Sequence, residues 1–142
     1  MSVNVVYTAE STATGGGRTG HVRSSDGSLD LLTQPPKELG GSGDGVNPEL
    51  LFSAGYAACF LGALRKVARI GGIALDENAT VTARIGFGKE SEGGFGLTAM
   101  LRGHLPGLDQ HSAEELMNQA HQACPYSKAT RGNIAVSLLA TV

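Results

Sequence analysis

Residues 47–64 read NPELLFSAGYAACFLGAL, and the rest of the chain has to be arranged around this stretch. The uncharged apolar run from Leu50 to Leu64 is shorter than the roughly 20 residues that cross a bilayer. Asn47 suits a helix cap and Pro48 the first helical position. The pattern therefore predicts a helix from Pro48 to about Gly71 that is apolar nearly all round in its first half and lies in the middle of the protein.

Length and composition narrow the class of protein. A chain of 142 residues fits a single domain, 1–142, because domains typically run to roughly 100–200 residues. Lys and Arg number 11 against 13 Asp and Glu, so the formal charge is −2 and nucleic acid is not the expected partner. No secretion signal opens the sequence, and we expect a cytoplasmic protein with no membrane association.

The segments on either side of the long helix indicate strands. Val3, Val5 and Tyr7 alternate with polar residues, and Asp26-Gly27 is a hairpin signal. Residues 40–45 are rich in glycine and are expected to form a flexible loop that covers a substrate or an interface.

The second half of the chain predicts two strands, a helix and a last strand. Residues 79–88 and 95–104 read as strands, and 133–141 as the last one. Between them a helix is expected from a capping box at Ser112 to Cys124. The order of elements predicts an α+β fold with antiparallel sheets around one long buried helix.

The two cysteines, Cys59 and Cys124, are the main candidates for chemistry. Each is either a reactive thiol or an inert core residue, which is common for free cysteine. A reactive thiol needs nearby positive charge, since free cysteine titrates at about pH 8.5. Arg18, within a glycine-rich turn, is the candidate cation, and Glu49 could orient it. Glu49 and Cys59 are ten residues apart, roughly 15 Å along a helix, so Glu49 would have to act through the arginine or from a second subunit.

Other types of site have little support in the sequence. The four histidines show no metal-ligand spacing, and we expect neither a metal nor a cofactor. Residues 124–127, CPYS, are similar to a thioredoxin-type active-site motif. In that fold, however, the motif starts a helix after an early strand, whereas here it follows a helix.

Residues 47–60 and 120–133, NPELLFSAGYAACF and AHQACPYSKATRGN, resemble the signatures of the organic hydroperoxide resistance (Ohr) proteins. Residues 14–20 fit the same family, and the resemblance spans nearly the whole chain. The sister OsmC branch of the superfamily shares the cysteines but usually lacks the run PYSxATRGN. The resemblance implies an intertwined homodimer of the OsmC/Ohr-like fold with two active sites at its interface.

The same resemblance implies a thiol-dependent peroxidase that reduces organic hydroperoxides, fatty-acid ones included, to alcohols in oxidative-stress defence. Cys59 matches the cysteine that attacks the peroxide, Cys124 the resolving cysteine that forms a disulfide with it, and Arg18 and Glu49 the activating pair. A lipoylated protein or small dithiol is the implied reductant. Two alternatives stay open: a redox sensor or lipid-binding module that reacts once, and a structural dimer with inert cysteines.

Overall fold

The computed structural model describes residues 2–142 and contains two three-stranded sheets and a long helix. The elements are β1 (Ser11–Gly15), β2 (Gly20–Ser24), β3 (Asp30–Thr33), a short 3-10 helix (Lys37–Leu39), α1 (Pro48–Ile70), β4 (Thr80–Lys89), β5 (Phe95–His104), α2 (Gln110–Ala123), α3 (Pro125–Thr130) and β6 (Val136–Thr141). The α+β class is confirmed. Internal contacts divide the chain into two compact units, the first ending at Pro48 and the second spanning Glu49–Val142.

The first unit is an antiparallel sheet in the order β1-β2-β3. The strand predicted around Val3 and Tyr7 is wrong, because β1 begins only at Ser11. The hairpin turn sets the register that pairs Ser11 with Ser24, where β2 ends, so residues before Ser11 extend past their neighbour strand. Residues 2–10 are exposed throughout, with Val6 93% and Tyr7 77% accessible.

Glycines shape two tight segments of this unit. The β1–β2 turn has Gly15 and Gly17 at positive φ, and the Thr33 hydroxyl donates to the Gly17 carbonyl at 2.7 Å. Residues 40–46, which include the glycine-rich loop, are hydrogen bonded back onto residues 32–37. A Cβ at Gly41 would lie only 2.0 Å from the Pro35 carbonyl oxygen, so this close approach requires glycine.

Helix α1 begins at Pro48, as predicted, and ends at Ile70. Its buried side chains are Tyr56, Phe60, Ala63, Leu64 and Ala68. Within the single chain the first half of this helix is not buried on every side, since Leu50 is 52% exposed. The helix is also longer than the uncharged run, and by length and composition alone it could span a membrane, a property it shares with core helices of soluble proteins.

The second sheet has the order β4-β5-β6. β4 and β5 form the expected antiparallel hairpin, but β6 pairs parallel with β5, which corrects the prediction of purely antiparallel sheets. Two helices lie between β5 and β6 in the chain and carry it back to the end of the sheet where β5 began, so β6 runs in the same direction. Alternate residues of this sheet join α1 and α2 in one hydrophobic core.

Helix α2 starts earlier than the capping box predicts. Its cap is Asp109, whose side chain accepts a hydrogen bond from the Ser112 N–H at 2.9 Å. Ser112 is therefore the third helical residue and not the cap. The helix ends at Ala123, and Pro125 starts the short helix α3 one residue later.

Candidate active site

The two cysteines come from different parts of the second unit and meet at one point. Cys59 lies near the middle of α1 and is half-buried. Cys124 is the single residue between α2 and α3 and is fully buried. Although 65 positions separate them, the Cys124 Sγ donates to the Cys59 Sγ at 3.6 Å. Both are free thiols at van der Waals contact, since a disulfide bond measures about 2.05 Å.

The junction between α2 and α3 places Cys124 in an extended backbone conformation. Its N–H donates to the Ala120 carbonyl at 2.8 Å, and its own carbonyl accepts from the Lys128 N–H at 3.0 Å. Pro125 suits the first position of α3, where no N–H is needed. The Cys124 backbone is therefore held by both helices while belonging to neither.

Three influences act on the thiol of Cys59. Burial raises its pKa, a hydrogen bond from the Tyr126 backbone N–H lowers it, and the adjacent Cys124 thiol raises it again. The net direction is upward, which favours the protonated thiol at neutral pH. Attack on a peroxide requires the thiolate, so a further positive group is needed, the role that the sequence analysis assigns to Arg18.

An aromatic cluster includes Tyr126, whose backbone N–H donates to the Cys59 sulfur. Phe52, Tyr56 and Tyr126 form a cluster with ring centroids 5.8 to 6.2 Å apart. A Cβ at Gly55 would lie 3.0 Å from the Tyr126 hydroxyl oxygen, so the absence of a side chain there lets the tyrosine lie against α1. Phe52 and Tyr126 are partly exposed, so their rings could contact the hydrocarbon part of a substrate.

A buried hydroxyl cluster joins α1 to α3, and it was not predicted from the sequence. The Tyr56 hydroxyl is 2.9 Å from the Ser127 Oγ and 3.1 Å from the Thr130 Oγ1, and Nδ1 of His121 lies 2.8 Å from the Ser127 Oγ. The available signal was spacing: Tyr56 precedes Cys59 by three residues, and Ser127 follows the other cysteine by three.

Arg18 and Glu49, the other two predicted site residues, lie apart from this cluster in the chain. Arg18 is in the turn between β1 and β2 of the first unit, and Glu49 is in the first turn of α1. Because α1 runs unbroken past Cys59, ten residues of helix, about 15 Å, separate Glu49 from it along the axis. Their roles stay predictions. Within residues 2–142, no cluster of three or more His, Cys, Asp or Glu residues is placed to hold a metal ion.

Comparison with known proteins shows which family the chain belongs to. Residues 41–139 match the OsmC-like protein family. The chain belongs to this family, in its organic hydroperoxide resistance branch. It is 50% identical over 135 residues to an organic hydroperoxide resistance protein from Xanthomonas axonopodis pv. citri, covering 94% of each chain. It is 46% identical over 134 residues to OhrB of Bacillus subtilis, covering 94% of this chain and 96% of that relative.

Solved structures of the OsmC/Ohr family share the fold. An organic hydroperoxide resistance protein from Legionella pneumophila superposes with a TM-score of 0.92 at 46% identity, covering 98% of this chain and all of that one. OhrB of Bacillus subtilis gives a TM-score of 0.87 at 44% identity, covering 96% of this chain and 100% of that one. The resemblance inferred from the sequence is confirmed, and with it the association with organic hydroperoxide resistance.

Proposed function

We propose that this chain is a cytoplasmic thiol-dependent peroxidase that reduces organic hydroperoxides, including those of fatty acids, to alcohols. The observation that carries the proposal is the 3.6 Å contact between the sulfurs of Cys59 and Cys124, beside Tyr126, whose backbone N–H donates to the Cys59 sulfur. Membership in a family of organic hydroperoxide resistance proteins supports the substrate class.

In the first step, the Cys59 thiolate attacks the terminal peroxide oxygen. A sulfur–oxygen bond forms as the oxygen–oxygen bond breaks, and the alkoxide leaves and takes up a proton to become the alcohol. Cys59 is left as a sulfenic acid. The guanidinium of Arg18 would stabilise the thiolate and the charge on the leaving oxygen, while the carboxylate of Glu49 would hold the guanidinium in place.

In the second step, Cys124 attacks the sulfur of the Cys59 sulfenic acid. The disulfide forms and the hydroxyl group leaves as water together with the thiol proton. A dithiol, either small or carried by a lipoylated protein, then exchanges with the disulfide and becomes oxidised itself while both cysteines return to thiols. The protein needs no metal or cofactor for this cycle.

A homodimer is part of the proposal. Leu50, Ala54, Ala58 and Gly62 recur every fourth residue along α1 and are all exposed, and small residues allow two helices to approach closely. The exposed valines and tyrosine of residues 2–10 offer an extended segment that a second copy could cover. Size-exclusion chromatography with light scattering tests this directly, and a monomer at micromolar concentration would contradict it.

The peroxidase is tested by mixing purified protein with tert-butyl hydroperoxide and reduced lipoamide. We expect repeated turnover in the natural protein, none in Cys59→Ser, and a single turnover in Cys124→Ser with over-oxidation of Cys59. Serine keeps the size of the side chain, so each variant isolates the sulfur. A single turnover in the natural protein would instead identify a sensor, and slow alkylation of both folded thiols would identify inert cysteines.

A further inference from the structure

We propose that Tyr56, Ser127 and His121 are positioning residues for disulfide formation, acting as a hydrogen-bonded lock that holds the Cys124 backbone against α1. This inference rests on the proposed peroxidase and concerns its second chemical step. The lock consists of the contacts from His121 Nδ1 to Ser127 Oγ, and from Ser127 Oγ to the Tyr56 hydroxyl.

The lock connects all three helices that hold the two cysteines. Tyr56 is on α1, three residues before Cys59; His121 is in the last turn of α2, and Ser127 is in the first turn of α3. His121 precedes Cys124 by three residues and Ser127 follows it by three. The contact between them therefore spans the junction where the resolving cysteine lies.

Because these hydroxyl groups are buried, their hydrogen bonds fix the position of α3 relative to α1. Tyr56 and Ser127 are completely buried and Thr130 is 3% exposed, so each hydroxyl must find its partner inside the protein. The Thr130 hydroxyl, 3.1 Å from that of Tyr56, also lies 3.2 Å from the Ser127 carbonyl, to which it can donate. A shift of α3 relative to α1 would break several of these bonds together.

A second contact braces the same junction from the far end of α3. The Arg131 guanidinium donates to the His121 carbonyl at 2.8 Å. Burial and the charge of Arg131 both lower the pKa of His121, which favours a neutral ring that can donate or accept at Nδ1. Ser127 and Tyr56 each have one hydroxyl proton, which can rotate to donate to either neighbour, so the hydrogen bonds from His121 through Ser127 to Tyr56 can form whether Nδ1 donates or accepts.

The two chemical steps depend on this geometry to different extents. Attack on peroxide uses the sulfur of Cys59, whose helix is continuous and anchored in the core. Disulfide formation requires the sulfur of Cys124 to close from 3.6 Å to about 2.05 Å, so it depends on where the junction between α2 and α3 lies. Loosening the lock should therefore slow the second step and leave the first nearly unchanged.

The test separates the two steps in Tyr56→Phe, Ser127→Ala and His121→Leu. Single-turnover mixing with tert-butyl hydroperoxide follows peroxide loss, and acid quenching with thiol alkylation and mass spectrometry follows the disulfide. We expect peroxide loss within about twofold of the natural protein and disulfide formation about tenfold slower, as for one lost hydrogen bond. The longer-lived sulfenic acid should also give more sulfinic acid at excess peroxide.

Matched variants distinguish positioning from general loss of structure. Ser91→Ala removes the same hydroxyl as Ser127→Ala, but from an exposed serine in the turn between β4 and β5, and should leave both steps unchanged. His121→Asn keeps a donor near Nδ1 and should recover most of the rate of disulfide formation. His121 is half-buried, so its variants keep the test available if Tyr56→Phe does not fold. Equal slowing of both steps, or no change in the second, would overturn the proposal.

One further measurement tests the lock even if the proposed peroxidase activity is not found. If the natural protein does not consume peroxide, the proposed function fails, but diamide can still oxidise the two thiols to a disulfide. Slower bridge formation in Tyr56→Phe and His121→Leu under diamide would then support the lock. Rates equal to that of the natural protein would refute it.

Discussion

Closing the bridge between Cys59 and Cys124 should stabilise the fold measurably. The bridge would close a loop of 65 residues, which in the chain-entropy model raises the free energy of unfolding by about 4 kcal/mol. The sulfurs must approach by about 1.5 Å, roughly 0.8 Å each, which small side-chain rotations supply. Those rotations cost up to about 1 kcal/mol for each cysteine, so the net gain is about 2–4 kcal/mol. For a chain of this length, the melting temperature should rise by about 6–12 °C.

The assay compares the reduced protein with protein oxidised by one equivalent of tert-butyl hydroperoxide. Intact mass should show the loss of two hydrogen atoms, and calorimetry should show the higher melting temperature. Cys124→Ser cannot close the loop and should show no such rise after the same treatment. A confirmed bridge with an equal or lower melting temperature would refute the reasoning, because it would mean that closing the bridge strains the native backbone.

Three further predictions concern separate parts of the molecule. Arg18→Ala should raise the pKa of Cys59 and shift the pH profile of its alkylation upward; an unchanged profile would remove Arg18 from the mechanism. Leu101→Ala, at a fully buried position, should lower the free energy of unfolding by about 2–5 kcal/mol, measured by chemical denaturation. Leu139 is half exposed on the neighbouring strand, so Leu139→Ala should lower it far less, and equal losses would contradict the assigned core. Hydrogen bonds from Ser112 at the start of α2 lower the pKa of Asp109 from its ordinary value of 3.8. The ionised carboxylate therefore stabilises the fold above about pH 4, and this contribution is lost as the pH falls through the lowered pKa of the folded state. Asp109→Ala should therefore lower the melting temperature at pH 7 and differ less from the natural protein in acid; a constant difference would contradict the cap.

The elements with strong local signals were predictable from the sequence. Helix α1 begins at Pro48 as expected, and the hairpin of β4 and β5 lies where alternation and the intervening glycines indicate. In these segments the side-chain period and the turn residues agree, so no distant contact is needed to specify them. The motifs of residues 47–60 and 120–133 were equally sufficient to recognise the family.

Only the tertiary structure decided the direction and pairing of the strands and the contacts between distant residues. Alternation predicted β6 but not its parallel pairing, because direction depends on the path of α2 and α3. The pattern at residues 3–7 predicted a strand, yet a strand needs a neighbour, and within this chain the β1–β2 register ends before it. The family resemblance implied that Cys59 and Cys124 pair, but the hydroxyl contacts of Tyr56 with Ser127 and Thr130 join residues more than 70 positions apart that no sequence motif connects. Such contacts arise from the packing of three helices in one core, whereas local sequence patterns report only on near neighbours along the chain.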